Sequence, residues 1–112
     1  MALDWVQRSL RENLGFSPYP GTLNLRLETD EAMELWREVR ERRRGIEISA
    51  LDPLFCQARC FPVEIEGKRR GAVILPDVGD YPADKMEVIA PVRLKEELQL
   101  RDGAQVTVEF MD

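Results

Sequence analysis

The sequence predicts a mainly β fold, in which a small closed or nearly closed β-barrel is covered by two or three peripheral helices. Two observations predict this class. After residue 45 the chain consists mostly of short segments in which apolar and polar residues alternate, as in half-buried strands. Proline and glycine turns separate these segments at short intervals, as in small barrels. A chain of 112 residues has the size of one domain, so we assign residues 1–112 to a single domain.

The composition is that of a globular protein with an acidic surplus. Apolar residues make up 44% of the chain, charged residues make up 33%, and the formal net charge is −5. This charge argues against general nucleic-acid binding, which depends on contacts to phosphates, but it leaves room for one bound nucleotide. The longest apolar run, residues 72–75, is far too short to cross a membrane, and the N-terminus lacks the pattern of a signal peptide. We therefore expect a cytoplasmic protein with no nucleic-acid or membrane partner.

Helical periodicity predicts two helices in the first half of the chain. Apolar residues spaced by three, four and four predict a short opening helix, and they are Leu3, Val6, Leu10 and Leu14. A longer helix is expected over 30–44, with Thr29 or Asp30 as its cap and Gly45 after its end. Its predicted buried stripe comprises Ala32, Leu35, Trp36 and Val39. The arginines at 42–44 lie at the negative end of this helix, which explains them without a phosphate or RNA ligand.

The chain is organised around residues 14–27. Pro18, Pro20 and Gly21 fix a rigid turn, and the residues that follow alternate strictly. Three leucines face one side of the predicted strand, and a hydroxyl, an amide and a guanidinium face the other, from Thr22, Asn24 and Arg26. Such a polar row suits a phosphate and its metal ion, and it equally suits the solvent side of an ordinary strand. The pattern alone leaves both interpretations open.

The rest of the chain predicts five strands and one short helix. Alternating or apolar segments place the strands at 46–50, 55–65, 70–75, 86–89 and 105–110. Pro62 interrupts the second of these and predicts an edge strand or a bulge. Glu66 and Gly67 predict a hairpin turn, beside which the cations at 68–70 are solvated. The short helix begins around Pro91, a residue that is tolerated at a first helical position.

The content of cysteine and histidine limits the chemistry. The chain has two cysteines and no histidine, so we expect no zinc site and interpret Cys56 and Cys60 as core residues. Four positions along a strand place them too far apart for a disulfide. Without histidine there is no Ser–His or Cys–His nucleophile pair, and no glycine-rich phosphate loop occurs. Phosphoryl transfer remains open, because it depends chiefly on positioning and charge neutralisation.

Two separated motifs resemble the signatures of one family. The segment Leu-Gly-Phe-Ser-Pro-Tyr-Pro-Gly-Thr-Leu-Asn-Leu at 14–25 and the segment Glu-Val-Ile-Ala-Pro-Val-Arg-Leu-Lys at 87–95 resemble those of the archaeal-type CTP-dependent riboflavin kinases. Together with the Asp-Gly turn at 102–103, the resemblance extends from Trp5 to Phe110. It implies a cradle-loop barrel of the riboflavin-synthase/kinase type. It also implies an enzyme that converts riboflavin and CTP to FMN and CDP with Mg²⁺.

The resemblance also implies roles for individual residues. Thr22 and Asn24 match the positions that coordinate Mg²⁺, and their neutral oxygens suit a hard cation that arrives with nucleotide phosphates. Glu87 matches a position that contacts the flavin, where it would orient the ribityl hydroxyl or accept its proton as the catalytic residue. Tyr81 aligns with a tyrosine that would stack on a ring. The segment that would touch the cytidine nucleotide consists of Val92, Arg93, Leu94 and Lys95. Without the resemblance, these polar residues are ordinary surface positions.

Two departures from the family pattern leave alternatives open. The family has a further strand and a glycine-rich loop before the first helix, and it has a threonine at the position of Gly79. This chain starts at the helix, and three explanations compete: a late coding start, a partner chain that supplies the strand, and a lineage that lost the kinase activity. A homo-oligomer would cover the open barrel edge that the missing strand leaves.

Two other functions are kept as alternatives to the kinase. One is a catalytically inactive module of the same fold that binds a flavin or nucleotide or acts as a regulator. The other is a DNA-binding barrel, suggested by the helix, turn and strand over 94–108, against which the net acidity argues.

Overall fold

The computed structural model describes residues 22–48, 58–76 and 81–111. Within these ranges the chain forms six strands and two helices. In chain order they are β1 (Leu23–Arg26), α1 (Asp30–Arg42), β2 (Ile46–Ile48), β3 (Ala58–Ile65), β4 (Arg69–Pro76), β5 (Lys85–Ile89), α2 (Leu94–Glu97) and β6 (Val108–Phe110). The predicted opening helix, the turn at 18–21, Cys56 and Gly79 lie outside the described residues.

The strands form one antiparallel sheet in the order β1-β5-β4-β3-β2, and β6 also pairs with β3. Since β4 runs along the whole of one edge of β3, strands β2 and β6 share the other edge. β2 pairs with residues 58–60 and β6 pairs with residues 63–65. The prediction of a mainly β fold is confirmed. The described strands do not close into a barrel, so closure stays a prediction.

Pro62 lies in the middle of β3, so the prediction of an edge strand or a bulge is wrong. The register between β3 and β4 runs without interruption from Ala58 to Ile65. The Pro62 carbonyl accepts a hydrogen bond from the Met111 amide at 3.0 Å, on the β6 side of the strand. The nitrogen of a strand residue points the same way as its carbonyl. The missing N–H of Pro62 therefore points toward Met111, just past the end of β6, where the Met111 carbonyl accepts a hydrogen bond from the Arg43 guanidinium at 3.1 Å instead.

One face of the sheet carries the main core, and α1 packs on it. Trp36 of α1 lies edge-on to Phe61 and stacked on Phe110, with ring centroids 5.6 and 5.7 Å apart. The buried side chains of this core include Val39, Val63, Ile65, Val73, Met86 and Val88. The opposite face carries a smaller apolar cluster, in which Ile46 and Ile74 pack against buried Cys60, Ala72 and Ile89. Burial raises the pKa of the Cys60 thiol to about 12, as fits a core cysteine.

Helix α1 differs from its prediction at its end and in its buried stripe. Leu35 was expected to be buried but is 55% exposed, because it lies roughly 70° around the helix from the centre of the Trp36 and Val39 stripe. The helix stops at Arg42, two residues earlier than predicted, and Arg43 is already extended. Arg59 of β3 donates to the carbonyl oxygens of Arg40 at 3.0 Å and Arg43 at 3.4 Å. This cap from a distant strand satisfies carbonyls that the helix leaves free.

The elements after β5 are shorter than expected. Helix α2 is a single turn that begins at Leu94, so Pro91 is not its first residue. Strand β6 begins at Val108 and not at Gln105. In the described ranges, no helix combines the length and the apolar character needed to cross a membrane.

Two glycines with positive φ give a test of packing beside β3. Gly45 (φ 69°) and Gly67 (φ 63°) both adopt the left-handed region, so alanine is strained at either position. A Cβ at Gly45 would lie 2.8 Å from the Cys60 carbonyl oxygen and 2.9 Å from the Phe61 ring, whereas a Cβ at Gly67 meets nothing within 4 Å. We expect Gly45→Ala to lower the free energy of unfolding by about 1–3 kcal/mol more than Gly67→Ala. Urea denaturation of both variants measures this difference, and equal losses would contradict the crowding at Gly45.

Candidate functional site

The site begins with the pairing of β1 and β5. In their register Asn24 lies directly opposite Glu87, and directly opposite residues of an antiparallel pair project from the same face of the sheet. Thr22 lies two positions before Asn24, and its hydroxyl donates to the Asn24 Oδ1 atom at 3.5 Å. The structure thus brings together a hydroxyl, a side-chain amide and a carboxylate from segments more than 60 positions apart in the sequence.

The Glu87 carboxylate is held by two neighbours. The Tyr81 hydroxyl donates to Oε2 at 3.2 Å, and the Lys85 ammonium lies 3.5 Å from Oε1. The Lys85 ammonium also lies 5.6 Å from the centroid of the Tyr81 ring, so the three side chains contact one another in turn. The Glu87 side chain is only 20% exposed. Its orientation is therefore fixed before any ligand binds.

Tyr81 keeps its proton well above the physiological range. Burial, the negative charge of Glu87 and the hydrogen bond to that carboxylate together raise the pKa of Tyr81 to about 12. The phenol is therefore a permanent donor to Glu87 at neutral pH. In the described structure Tyr81 contacts Glu87 and Lys85, and its predicted stacking on a ligand ring remains a prediction.

Two cavities adjoin β1 and share a wall. A cavity of about 350 Å³ lies between residues 22–25 and the segment that includes Lys95, residues 100–104 and Val106. A cavity of about 310 Å³ is lined by Asn24, Leu25, Arg26, Pro82, Asp84 and Lys85. Asn24 and Leu25 line both cavities. Asn24 therefore stands between a cleft that carries Lys95 and a cleft that carries Lys85.

The four residues predicted to touch a nucleotide are not equivalent. Lys95 lines the larger cavity, where its ammonium forms an ion pair with the Asp102 carboxylate at 2.9 Å. This hydrogen bond and charge hold the pKa of Asp102 below its usual range. Arg93 pairs with Glu96 at 2.6 Å and does not line this cavity. Leu94 is buried in the main core and Val92 packs against that core. Of the four, the structure brings Lys95 to the cavity that Thr22 and Asn24 line.

Three residues of the site are absent from the sequence-based prediction. Lys85 lies two positions before Glu87 in the same strand, so strand periodicity places both on one face. Asp102 and Arg101 both line the larger cavity. The Asp-Gly turn that contains Asp102 belongs to the resemblance, but its proximity to Thr22 and Asn24 depends on the tertiary fold.

Thr22 and Asn24 fit a bound cation in chemistry and in spacing. Mg²⁺ holds its ligands at 2.0–2.1 Å, so adjacent oxygens of its octahedron lie about 3 Å apart. The two side-chain oxygens are 3.5 Å apart, which is close to this spacing. In the described part of the chain, no three acidic, cysteine or histidine residues form a metal-binding group. Two neutral oxygens suit Mg²⁺ only when a ligand such as a phosphate contributes the negative charge.

The described part of the chain is thus a mainly β domain with a polar cleft beside β1. The family model described as "CTP-dep_RFKase: Domain of unknown function DUF120" matches residues 1–110. The chain belongs to this family of CTP-dependent riboflavin kinase domains, which confirms the resemblance found in the sequence.

Several curated relatives carry the name riboflavin kinase. The protein from Archaeoglobus fulgidus is 41% identical over 114 residues, which cover 99% of this chain and 48% of that protein. The protein from Methanococcoides burtonii is 40% identical over 115 residues, which cover 100% of this chain and 50% of that protein. The protein from Aeropyrum pernix is 39% identical over 109 residues, which cover 94% of this chain and 80% of that protein. The chain thus spans about half the length of the first two relatives.

The ionisation of Tyr81 tests its contact with Glu87. In a Tyr19→Phe background, Tyr81 is the only tyrosine, and absorbance at 295 nm should report a pKa of about 12. Adding Glu87→Gln should lower this pKa but leave it above 10, because the carboxylate charge is lost while burial remains. Tyr81 has an ordinary pKa of 10 in the unfolded chain and a pKa of about 12 in the folded chain. The contribution of protonated Tyr81 to the free energy of unfolding is therefore complete below pH 10 and is lost as the pH rises to about 12.

Glu109→Gln is the matched control for this titration, because Glu109 is exposed in β6 and has no contact with Tyr81 in the described structure. It should leave the pKa of Tyr81 unchanged. An unchanged pKa in the Glu87→Gln variant would contradict the contact.

Proposed function

We propose that this chain transfers the γ-phosphoryl group of CTP to riboflavin, forming FMN and CDP with Mg²⁺, as a CTP-dependent riboflavin kinase. The position of Asn24 carries the proposal. This residue lines both cavities beside β1 and lies opposite Glu87 in the sheet. A donor in one cleft and an acceptor in the other would meet at its side chain. Family membership and the relatives named riboflavin kinase support the choice of substrates.

The larger cavity is proposed for the phosphates of CTP. Thr22 and Asn24 would hold Mg²⁺ together with phosphate oxygens, and Lys95 would contribute positive charge from the opposite wall. When bound, the cation supplies neutralisation of the charge that develops on the transferred phosphoryl group. Val92, Arg93 and Leu94 precede Lys95 in the same segment, and we propose that their backbone contacts the rest of the nucleotide. Buried Leu94 anchors this segment to the core.

The smaller cavity and the adjoining Glu87 are proposed for riboflavin. The terminal hydroxyl of the ribityl chain would form the new bond to the γ-phosphorus as the bond to CDP breaks. Glu87 would orient that hydroxyl or take its proton, and Tyr81 and Lys85 hold both carboxylate oxygens in place for this role. On the β4 side of β5, Glu87 lies opposite Ile74, which is partly buried. Ile74 would give the proposed riboflavin site an apolar surface next to Glu87. Stacking of Tyr81 on a ligand ring belongs to the same proposal.

We also propose that the sheet closes into a cradle-loop barrel. Among the described strands, β1 pairs only with β5, so one of its edges is without a strand partner there. The larger cavity lies along β1 and beside the segment that leads into β6, at the opening that closure would narrow. Open strand edges promote association, and a second copy of the chain is the partner that we propose for this edge. The proposed reaction belongs in the cytoplasm.

Gly79 favours a second candidate function, that of a catalytically inactive module that binds a flavin or nucleotide. The family has a threonine at this position, and glycine offers no side-chain hydrogen bond. The two functions differ in turnover. The kinase converts riboflavin to FMN in the presence of CTP and Mg²⁺, whereas the module binds riboflavin or FMN and leaves it unchanged.

Alanine substitution of both proposed magnesium ligands tests the kinase. We expect the Thr22→Ala, Asn24→Ala double variant to lose on the order of 100-fold in kcat/KM for FMN formation, because no protein oxygen then fixes the cation. Separation of FMN from riboflavin by chromatography measures the rate. Thr107→Ala removes an exposed threonine outside both cavities and should retain the native rate. Native turnover in the double variant would refute these roles, and no FMN from the unchanged protein would refute the kinase.

A further inference from the structure

A basic side chain that the proposed function does not use lines the larger of the two cavities beside β1. Lys95 and Arg101 are the two basic residues among those described that line it. They differ in their electrostatic surroundings. Lys95 is held by Asp102, at 2.9 Å between Nζ and Oδ1. Arg101 has neither an ion pair nor a side-chain hydrogen bond within the described ranges, so its charge is not offset by a carboxylate.

Several other described arginines already have a structural task. Four of them are paired with carboxylates, namely Arg26, Arg37, Arg69 and Arg93. Arg59 caps the end of α1 through the Arg40 and Arg43 carbonyls. Arg101 combines an uncompensated charge with a position on the wall opposite Thr22 and Asn24. This combination distinguishes it from Arg70, which is exposed on β4 and does not line the cavity.

A phosphate chain has the chemistry that such a residue recognises. The planar guanidinium of arginine donates two parallel N–H groups to a pair of phosphate oxygens, which a lysine ammonium cannot do. Asp102 partly neutralises the positive charge of Lys95. Lys95 alone would therefore leave much of the negative charge of a polyphosphate without a counter-charge. Arg101, which directly precedes Asp102 in the chain and lines the same cavity, is placed to supply the missing positive charge.

We propose that Arg101 binds the phosphate chain of the nucleotide donor, in the cavity that it shares with Thr22, Asn24 and Lys95. The inference rests on the proposed function only in taking the ligand to be a nucleotide. A binding site for phosphates stands without the transfer step. Asp102 holds the neighbouring Lys95 in position and leaves Arg101 free to contact the ligand.

Binding measurements on an Arg101→Gln variant test the inference. The probes are inorganic tripolyphosphate and CTP, each with Mg²⁺, together with cytidine and riboflavin, and calorimetry gives each dissociation constant. We expect Arg101→Gln to weaken both phosphate probes by about 10- to 100-fold, as for a lost charged hydrogen bond, and to leave riboflavin and cytidine unchanged. Arg101→Lys should fall between native and Arg101→Gln, because it keeps the charge and loses the planar fork.

Arg70→Gln is the matched control, since it makes the same change in net charge outside the cavity. It should change each dissociation constant by less than about twofold, because Arg70 is exposed, does not line the cavity, and its charge is screened by salt. The inference is overturned if Arg101→Gln binds tripolyphosphate like the native chain, if Arg70→Gln loses as much, or if the native chain binds no tripolyphosphate. Binding of tripolyphosphate that requires Arg101, without any formation of FMN, would refute the kinase and support the phosphate site.

Discussion

The pairing of β1 with β5 is the constraint on which the site depends. It places Asn24 opposite Glu87 and leaves the two cavities on either side of β1. The other face of the same pair supplies the force that fixes the register, because Val88 and Met86 are buried in the core and Leu23 and Leu25 pack against it. A slip of one residue would expose these side chains and turn Asn24 inward. Hydrophobic burial on one face thus determines the chemistry available on the other.

Much of the polar row was predictable from the sequence, but its surroundings were not. Strict alternation after the proline-rich turn places Thr22 and Asn24 on one face, and the structure has them within 3.5 Å of each other. The meeting with Glu87 depends on a register between segments far apart in the chain, which no local pattern encodes. Only the family resemblance connected the two segments. Arg101 was missed because an exposed arginine in a turn has no sequence signal of its own.

The errors in the predicted fold have the same origin. Pro62 suggested an edge strand, yet it lies in a central strand at the point where two neighbours end. Helix α1 was predicted to reach residue 44, whereas Arg59 of β3 caps it at Arg42. In each case the local propensity was read correctly, and a contact from a distant strand determined the outcome. Strand existence follows from periodicity, but strand neighbours and helix ends follow from packing.

The position of a bound cation relative to β1 is the most direct measurement of how this site works. Mn²⁺ added with CTP to ¹⁵N-labelled protein broadens the amide signals of residues near the metal. Signals of residues 22–25 and of Glu87 should broaden first, together with those of Lys95 and residues 100–104. The hairpin turn at 66–68 lines neither of the two cavities beside β1, and it is hydrogen-bonded to Thr107 next to Val106 of the larger cavity, so its signals should broaden later than those of residues 22–25. Broadening of the hairpin with sharp signals for residues 22–25 would place the cation elsewhere and contradict the site at β1.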